Sequence, residues 1–360
     1  MATELFRKRF LSAYRELRSA DMFLSGFFTV RPENISDTEK VAIDVVREDE
    51  EISPVVNTCE GPTFNVSDQF TTKEFTPPSI EEAMPFDCKE FLKRMAGQNE
   101  YEAVNTSFQA QLVARILNGV NILENKIRRN REWQASQILQ TGVLALVDED
   151  GNAVYNIDYK PKATHLTTAG VAWTAGGGDP LGDIESLCDV IRDDSLQDAD
   201  RCIMGAATFN AFMANATVLA QLDNRRMEMG VIAPRPDGTG GKFQGVLNIG
   251  NYKLEIWTYN GRGIVPASGT KTAFVLDDSC IVMSSAGRLD TVFAGVPMAT
   301  PVDPRFADIL PSRVAVPQAV DLAPNIYSTP NGRQTILEVA SRPLLIPTAI
   351  DSFGRIDSGV

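Results

Sequence analysis

The sequence predicts an α+β chain with extended segments outside its core, and three observations carry that prediction. A long apolar stripe at helical spacing runs from Val104 to Ile138. A proline-rich stretch, Ile52 to Leu92, shows no helical pattern. From about Leu181 to Asn325 short strands alternate with helices. At 360 residues the chain can hold two sub-domains, each with its own core.

Thr3 to Leu17 reads as a basic amphipathic helix with Thr3 as N-cap. Phe6, Phe10, Tyr14 and Leu17 fall at helical spacing among Arg7, Lys8, Arg9, Arg15 and Arg18. The first 31 residues carry six basic and three acidic side chains, whereas Glu33 to Glu51 carries eight acidic and two basic ones. The helix is either a surface element with a solvated charge face or an arm that packs on an acidic neighbour. Phe23, Phe27 and Phe28 add to its aromatic load. A helix this short is marginal alone in water, so its apolar face needs a partner.

The next stretch contains Pro54, Pro62, Pro77, Pro78 and Pro85. Proline breaks helices and confines strands to sheet edges. The Val, Phe and Thr content favours an extended hairpin over disorder. Then Val104, Phe108, Leu112, Ile116, Val120, Leu123, Ile127 and Ile138 mark a helix of about 35 residues, about 50 Å long at 1.5 Å per residue. Asn118-Gly119 is a candidate bend and Gly142 a candidate stop. The spacing holds no strict heptad, which favours a helix lying across a sheet over a coiled coil.

After Gly142 the period switches. VLALV, a DEDGN turn and AVYNIDY read as a hairpin. The glycine-rich AWTAGGGDPLGD reads as a hinge. Asp183 to Val190 is a helix and RCIMG a buried strand. Ala206 to Leu222 is a helix with Phe209, Phe212, Met213, Ala216 and Leu219 inward. YKLEIWTY, TAFVL, CIVMS and LDTVFAG are strands, and PRPDGTGGKFQG is a mobile loop by composition. Connections from Pro297 to Pro330 are proline-rich, and QTILEVASRPLLIP closes the chain as an apolar strand.

Composition argues against several functions. The net charge is −13, which offers DNA like charge and no counterion-release gain. Five cysteines (Cys59, Cys88, Cys188, Cys202 and Cys280) form no CxxC and are expected as free thiols. A single histidine, His165, argues against most metal sites and histidine-dependent catalysis. Neither a membrane span nor a signal peptide is expected. Asp148, Asp150 and Asn152 begin like a calcium loop, but Ala153 and Tyr159 stand where glycine and glutamate belong. Gly240 to Lys242 resembles a phosphate loop, but Pro236 replaces its first glycine and Phe243 its Ser or Thr. The acids at Asp193-Asp194 and Asp198-Asp200 read as solvated faces, and Trp133, Trp173 and Trp257 as core anchors. No catalytic residue, cofactor or metal is expected.

The order of segments matters more than any single motif. FLSGFFTVRPENISDTEKVAIDVV, then Ser53-Pro54-Val55-Val56, Glu74-Phe75-Thr76-Pro77, Trp173 with Asp179-Pro180 and Asp183-Ile184-Glu185, LDNRR at Leu222 to Arg226, and SRPLLIP at Ser341 to Pro347 occur in sequence. This series resembles the Hong Kong 97-like capsid fold and, more closely, the lambda-type major capsid proteins of the phage capsid E family. Val231 to Gly250 matches poorly.

The resemblance implies a shell subunit of a tailed-phage head, with an N-terminal arm (1–51), a projecting loop (52–94), a peripheral domain (95–180 and 326–360) built on the long helix, and an axial domain (181–325). It implies hexamers and pentamers of this chain closing an icosahedral head around double-stranded DNA, with portal, scaffold and decoration proteins as further partners and no membrane. Assembly in the bacterial host cytoplasm and a separate scaffold protein are expected. Candidate inter-subunit contacts are Phe6, Phe10, Tyr14, Phe27 and Phe28 on the arm, Glu74 and Phe75 on the loop, and Arg225 and Arg226 near the capsomer axis. The rival readings are an encapsulin-like nanocompartment shell of the same fold and a cytoplasmic α/β enzyme.

Overall fold

The computed structural model describes residues 22–36, 41–46, 70–87, 108–148, 150–222, 230–236, 240–265, 269–296, 321–329 and 334–360. Ahead of the long helix lie β1 (Thr29–Ser36), β2 (Val41–Val46), β3 (Phe70–Phe75) and β4 (Ile80–Asp87). The helix is α1 (Phe108–Thr141), followed by β5 (Val143–Val147), β6 (Ala153–Asp158), β7 (Leu166–Thr168) and α2 (Pro180–Ser195). Next come β8 (Arg201–Met204), α3 (Ala206–Ala214), α4 (Ala216–Leu222), β9 (Gly230–Pro236), β10 (Gly241–Ile249) and β11 (Tyr252–Tyr259). The chain continues through β12 (Arg262–Ile264), β13 (Lys271–Ala273), β14 (Ser279–Met283) and β15 (Asp290–Ala294). It ends with β16 (Ala323–Ser328), β17 (Gln334–Ser341), β18 (Pro343–Ile346) and β19 (Phe353–Asp357).

The apolar stripe becomes one helix of 34 residues that serves two cores. Its first half buries Ile116, Leu123 and Ile127 against Phe86, Ile326, Leu337 and Val339 of the three-stranded sheet β16-β17-β4. Its second half buries Ala135, Ile138 and Leu139 in the main core. Gly119, expected as a bend, is a point of close approach. A β-carbon there would stand 2.8 Å from Leu337 Cδ2 and 3.1 Å from the Phe86 ring. Gly142 ends the helix with φ of +67°, a conformation that favours glycine, and the expected β5-β6 hairpin follows.

The second architectural unit is a seven-stranded sheet in the order β7-β19-β14-β8-β11-β10-β9. Its central strands are buried on both faces, and the alternation of side chains explains how. Cys202 and Met204 of β8, with Cys280 and Val282 of β14, point to Ile184, Leu187, Ile191 and Phe212 of α2 and α3. Ile203, Ile281 and Met283 point the other way, into the core shared with α1. β15 lies elsewhere, between β1 and β18.

Several expectations change. Sheet membership ignores sequence boundaries at 181 and 325, because β7 (parallel to β19) and β19 (antiparallel to β14) enter the seven-stranded sheet from outside that range. The glycine-rich loop is in its described parts a hairpin, β9-β10. Pro236 is tolerated there because β9 is an edge strand. The helix expected over 206–222 breaks at Asn215, whose Oδ1 accepts from Thr217 N at 2.9 Å. The break shifts the phase, so Val218 is buried while Ala216 and Leu219 are exposed. The described strands of the proline-rich segment do not pair with each other: β3 pairs with β2 and β4 with β17. Cys188, Cys202 and Cys280 are free and buried. The helix expected over Thr3 to Leu17, the tip of the proline-rich segment and the connection 297–320 lie outside the described residues.

Candidate functional site

The described residues show how the segments expected as the arm and the projecting loop join the core. The chain enters the core at Phe23 to Phe28. Ser25–Phe27 forms a short 3-10 turn whose leading backbone N–H groups need acceptors. Glu132 of α1 supplies them. Leu24 N donates to its Oε1 at 2.7 Å, while Ser25 N and Ser25 Oγ donate to its Oε2 at 2.9 and 2.7 Å. Glu132 is wholly buried. Burial pushes its carboxyl above the ordinary range, and the bonds from Ser25 and Leu24 pull the other way.

Around this latch the Phe23 ring lies 5.1 Å from Phe27, 5.4 Å from Trp257 and 5.3 Å from Tyr259. Gly241 leaves room for it, since a β-carbon there would stand 2.4 Å from the Phe23 ring. Arg201 lies over the Phe27 ring. β1 then runs parallel to β15, with Thr29 N donating to Leu289 O at 2.9 Å.

Between β3 and β4, within the segment expected as the projecting loop, the chain is held by different chemistry. The Tyr155 hydroxyl donates to Thr76 O at 2.5 Å. The Arg342 guanidinium donates from Nη2 to Pro77 O and from Nη1 to Gly295 O, both at 3.0 Å. Arg342 is 8% exposed, and among the described residues no carboxylate pairs with it. The Phe75 ring sits 6.1 Å from that of Tyr159, whose hydroxyl donates to Leu345 O at 2.7 Å. Burial pushes the Tyr155 phenol up to about 12 and raises Tyr159 further.

The candidate contacts separate accordingly. Phe28, expected at a neighbour, is 3% exposed and belongs to the chain's own core. Phe27 is half-buried against that core. Phe75 is half-buried at the loop root, and Glu74 beside it is exposed. Phe6, Phe10, Tyr14, Arg225 and Arg226 lie outside the described residues. Sequence reasoning missed Glu132, Tyr155 and Arg342. A lone arginine inside the apolar run SRPLLIP was a readable signal; Glu132 and Tyr155 had none. His165 is a strut: its Nδ1 faces Phe353 O and its Nε2 faces Asp194, each at 2.9 Å. Lys162 and then His165 hold the Asp194 carboxyl below the usual range.

Residues 12–357 match the family model described as phage major capsid protein E. The chain belongs to that family. It is a capsid shell protein, and self-assembly and a place in the virion follow from the family. The fold is similar to that of a protein described as a prophage capsid protein of E. coli CFT073, at 15% identity and a TM-score of 0.61, covering 94% of this chain and 93% of that one. It is also similar to the capsid of cyanophage P-SCSP1u, at 12% identity and a TM-score of 0.50, covering 98% and 93%. The expected Hong Kong 97-like fold accords with both. No curated protein matches the sequence.

Proposed function

We propose that this chain is the major shell subunit of a tailed-phage head, in which copies form hexamers and pentamers that close an icosahedral shell around double-stranded DNA. The observation that carries the reading is the family match across residues 12–357. The charge of −13 supports it: a wall of like sign holds DNA without binding it tightly. The role is structural and involves no catalysis.

In this reading the arm and the projecting loop cross to neighbouring subunits, with Glu74 at the loop root exposed toward one of them. The peripheral domain (95–180 and 326–360) is built on α1, and the axial domain spans 181–325. Portal, scaffold and decoration proteins complete the head, which assembles in the host cytoplasm. Electron microscopy of the purified protein tests the reading. Closed particles of uniform size are expected; a population of monomers or small oligomers alone contradicts it.

A further inference from the structure

Two adjacent inner strands of the seven-stranded sheet, β8 and β14, carry a pair of thiols that the shell role does not use. Their antiparallel register sets Cys202 opposite Val282 and Cys280 opposite Met204. The two cysteines are therefore diagonal neighbours on one face, the face packed under α2 and α3. Their sulfurs stand 3.3 Å apart and share a hydrogen bond.

The surroundings keep this pair in the thiol form. Cys202 is 1% exposed and Cys280 0%. Ile184, Leu187, Ile191 and Phe212 pack in the same cluster, together with Cys188 of α2. The hydrogen bond to Cys280, and then burial, hold the Cys202 thiol well above its ordinary value. Burial pushes the Cys188 thiol up as well. The reactive thiolate therefore forms when the sheet opens locally, and a small oxidant reaches the pair in that state.

Geometry decides what kind of bond the pair can make. A disulfide is about 2.05 Å long, so sulfurs 3.3 Å apart must close by about 1.2 Å. Diagonal neighbours on a sheet face have α-carbons about 7–8 Å apart. Disulfides span about 4.4–6.8 Å between α-carbons. Closing the bond draws β8 and β14 together, and a bond under such tension is readily reduced again.

We infer that Cys202 and Cys280 form a reversible thiol–disulfide switch inside the seven-stranded sheet, open in a reducing compartment and closed by a peroxide. One thiolate attacks a peroxide oxygen; the O–O bond breaks, the sulfur becomes a sulfenic acid and, for hydrogen peroxide, one water leaves. The second sulfur then attacks the sulfenic sulfur. The S–S bond forms, the S–O bond breaks and a second water leaves. Two thiols are oxidised and one peroxide is reduced to two waters. The closed bond ties strands 78 positions apart in the chain and restrains the opening that allowed it. The inference does not depend on the shell reading.

Treating the folded full chain with hydrogen peroxide tests it. The remaining thiols are then alkylated and the chain is digested without reductant for mass spectrometry. The Cys202 and Cys280 peptides should appear joined, lighter by two hydrogens than their sum, and dithiothreitol should return both as free thiols. Hydrogen exchange at residues 201–204 and 279–283 should slow on oxidation and recover on reduction. C188S should keep the joined species, and C280A should lose it. Recovery of both peptides separately alkylated or singly oxidised overturns the inference. So does a link from either cysteine to Cys188, or a joined species that forms only in urea.

Discussion

The root of the arm and the root of the projecting loop perform the same task with opposite materials. At the arm, a wholly buried carboxylate gathers three donors beneath a cluster of aromatic rings. At the loop, a phenol and a guanidinium hold two backbone carbonyls. Acceptors for N–H groups are needed where a chain enters a turn; donors for C=O groups are needed where proline has removed N–H groups, as at Pro77-Pro78. The arm root is part of the core, so disturbing it should cost global stability. The loop root is partly solvated, so disturbing it should release the loop and leave the core intact.

The most severe break in this contrast is Phe23→Ala. It empties a site bounded by Phe27, Trp257 and Tyr259 and should cost about 3–5 kcal/mol, read as a lower melting temperature of the unassembled subunit. A loss well under that range would mean that the aromatic cluster does not hold the arm root. Glu132→Gln comes next. It keeps the volume but turns a donor toward Leu24 or Ser25, for about 1–3 kcal/mol. Hydrogen exchange should then quicken at residues 24–28 and be unchanged at Phe75, Thr76, Ser79 and Ile80.

Arg342→Met should cost about 1 kcal/mol. The two carbonyls lose their donors, but removing a buried charge without a carboxylate partner offsets part of the loss. Exchange should quicken around Ile80 and not around Phe28. The mildest change is Tyr155→Phe, about 0.5–1 kcal/mol. The Tyr155 phenol is raised from 10.0 to about 12 in the folded chain. Its contribution is therefore fully present below pH 10 and lost as pH rises through about 12. Denaturant midpoints of the wild type should fall across that window more steeply than those of Tyr155→Phe; parallel curves would remove Tyr155 from the loop root.

The two roots also differ in how far they could be read from the sequence. Local periodicity was legible: the stripe from Ile116 to Ile138, the stop at Gly142 and the hairpin at 143–158 follow from spacing alone. Whatever depended on a distant partner was not. Gly119 read as a bend because Leu337 lies more than two hundred positions away. Glycines 240 and 241 read as mobility, although Gly241 makes room for Phe23. Phe28 read as a contact for a neighbour because nothing local reveals the pocket formed by the chain's own later strands. Glu132 is one acid among many until the N–H groups of Leu24 and Ser25 arrive, 108 and 107 positions away.

In the proposed shell the chain's own core holds it from Phe23 onward, and what precedes serves a neighbouring subunit. Deleting residues 1–20 tests this most directly, with calorimetry of the unassembled subunit and microscopy of the assembly reaction side by side. The expected result is a soluble subunit with the melting temperature of the full chain that does not close stable shells. A truncated chain that melts lower or aggregates would place the arm in its own core, and one that closes shells normally would make the arm dispensable; either result contradicts the claim.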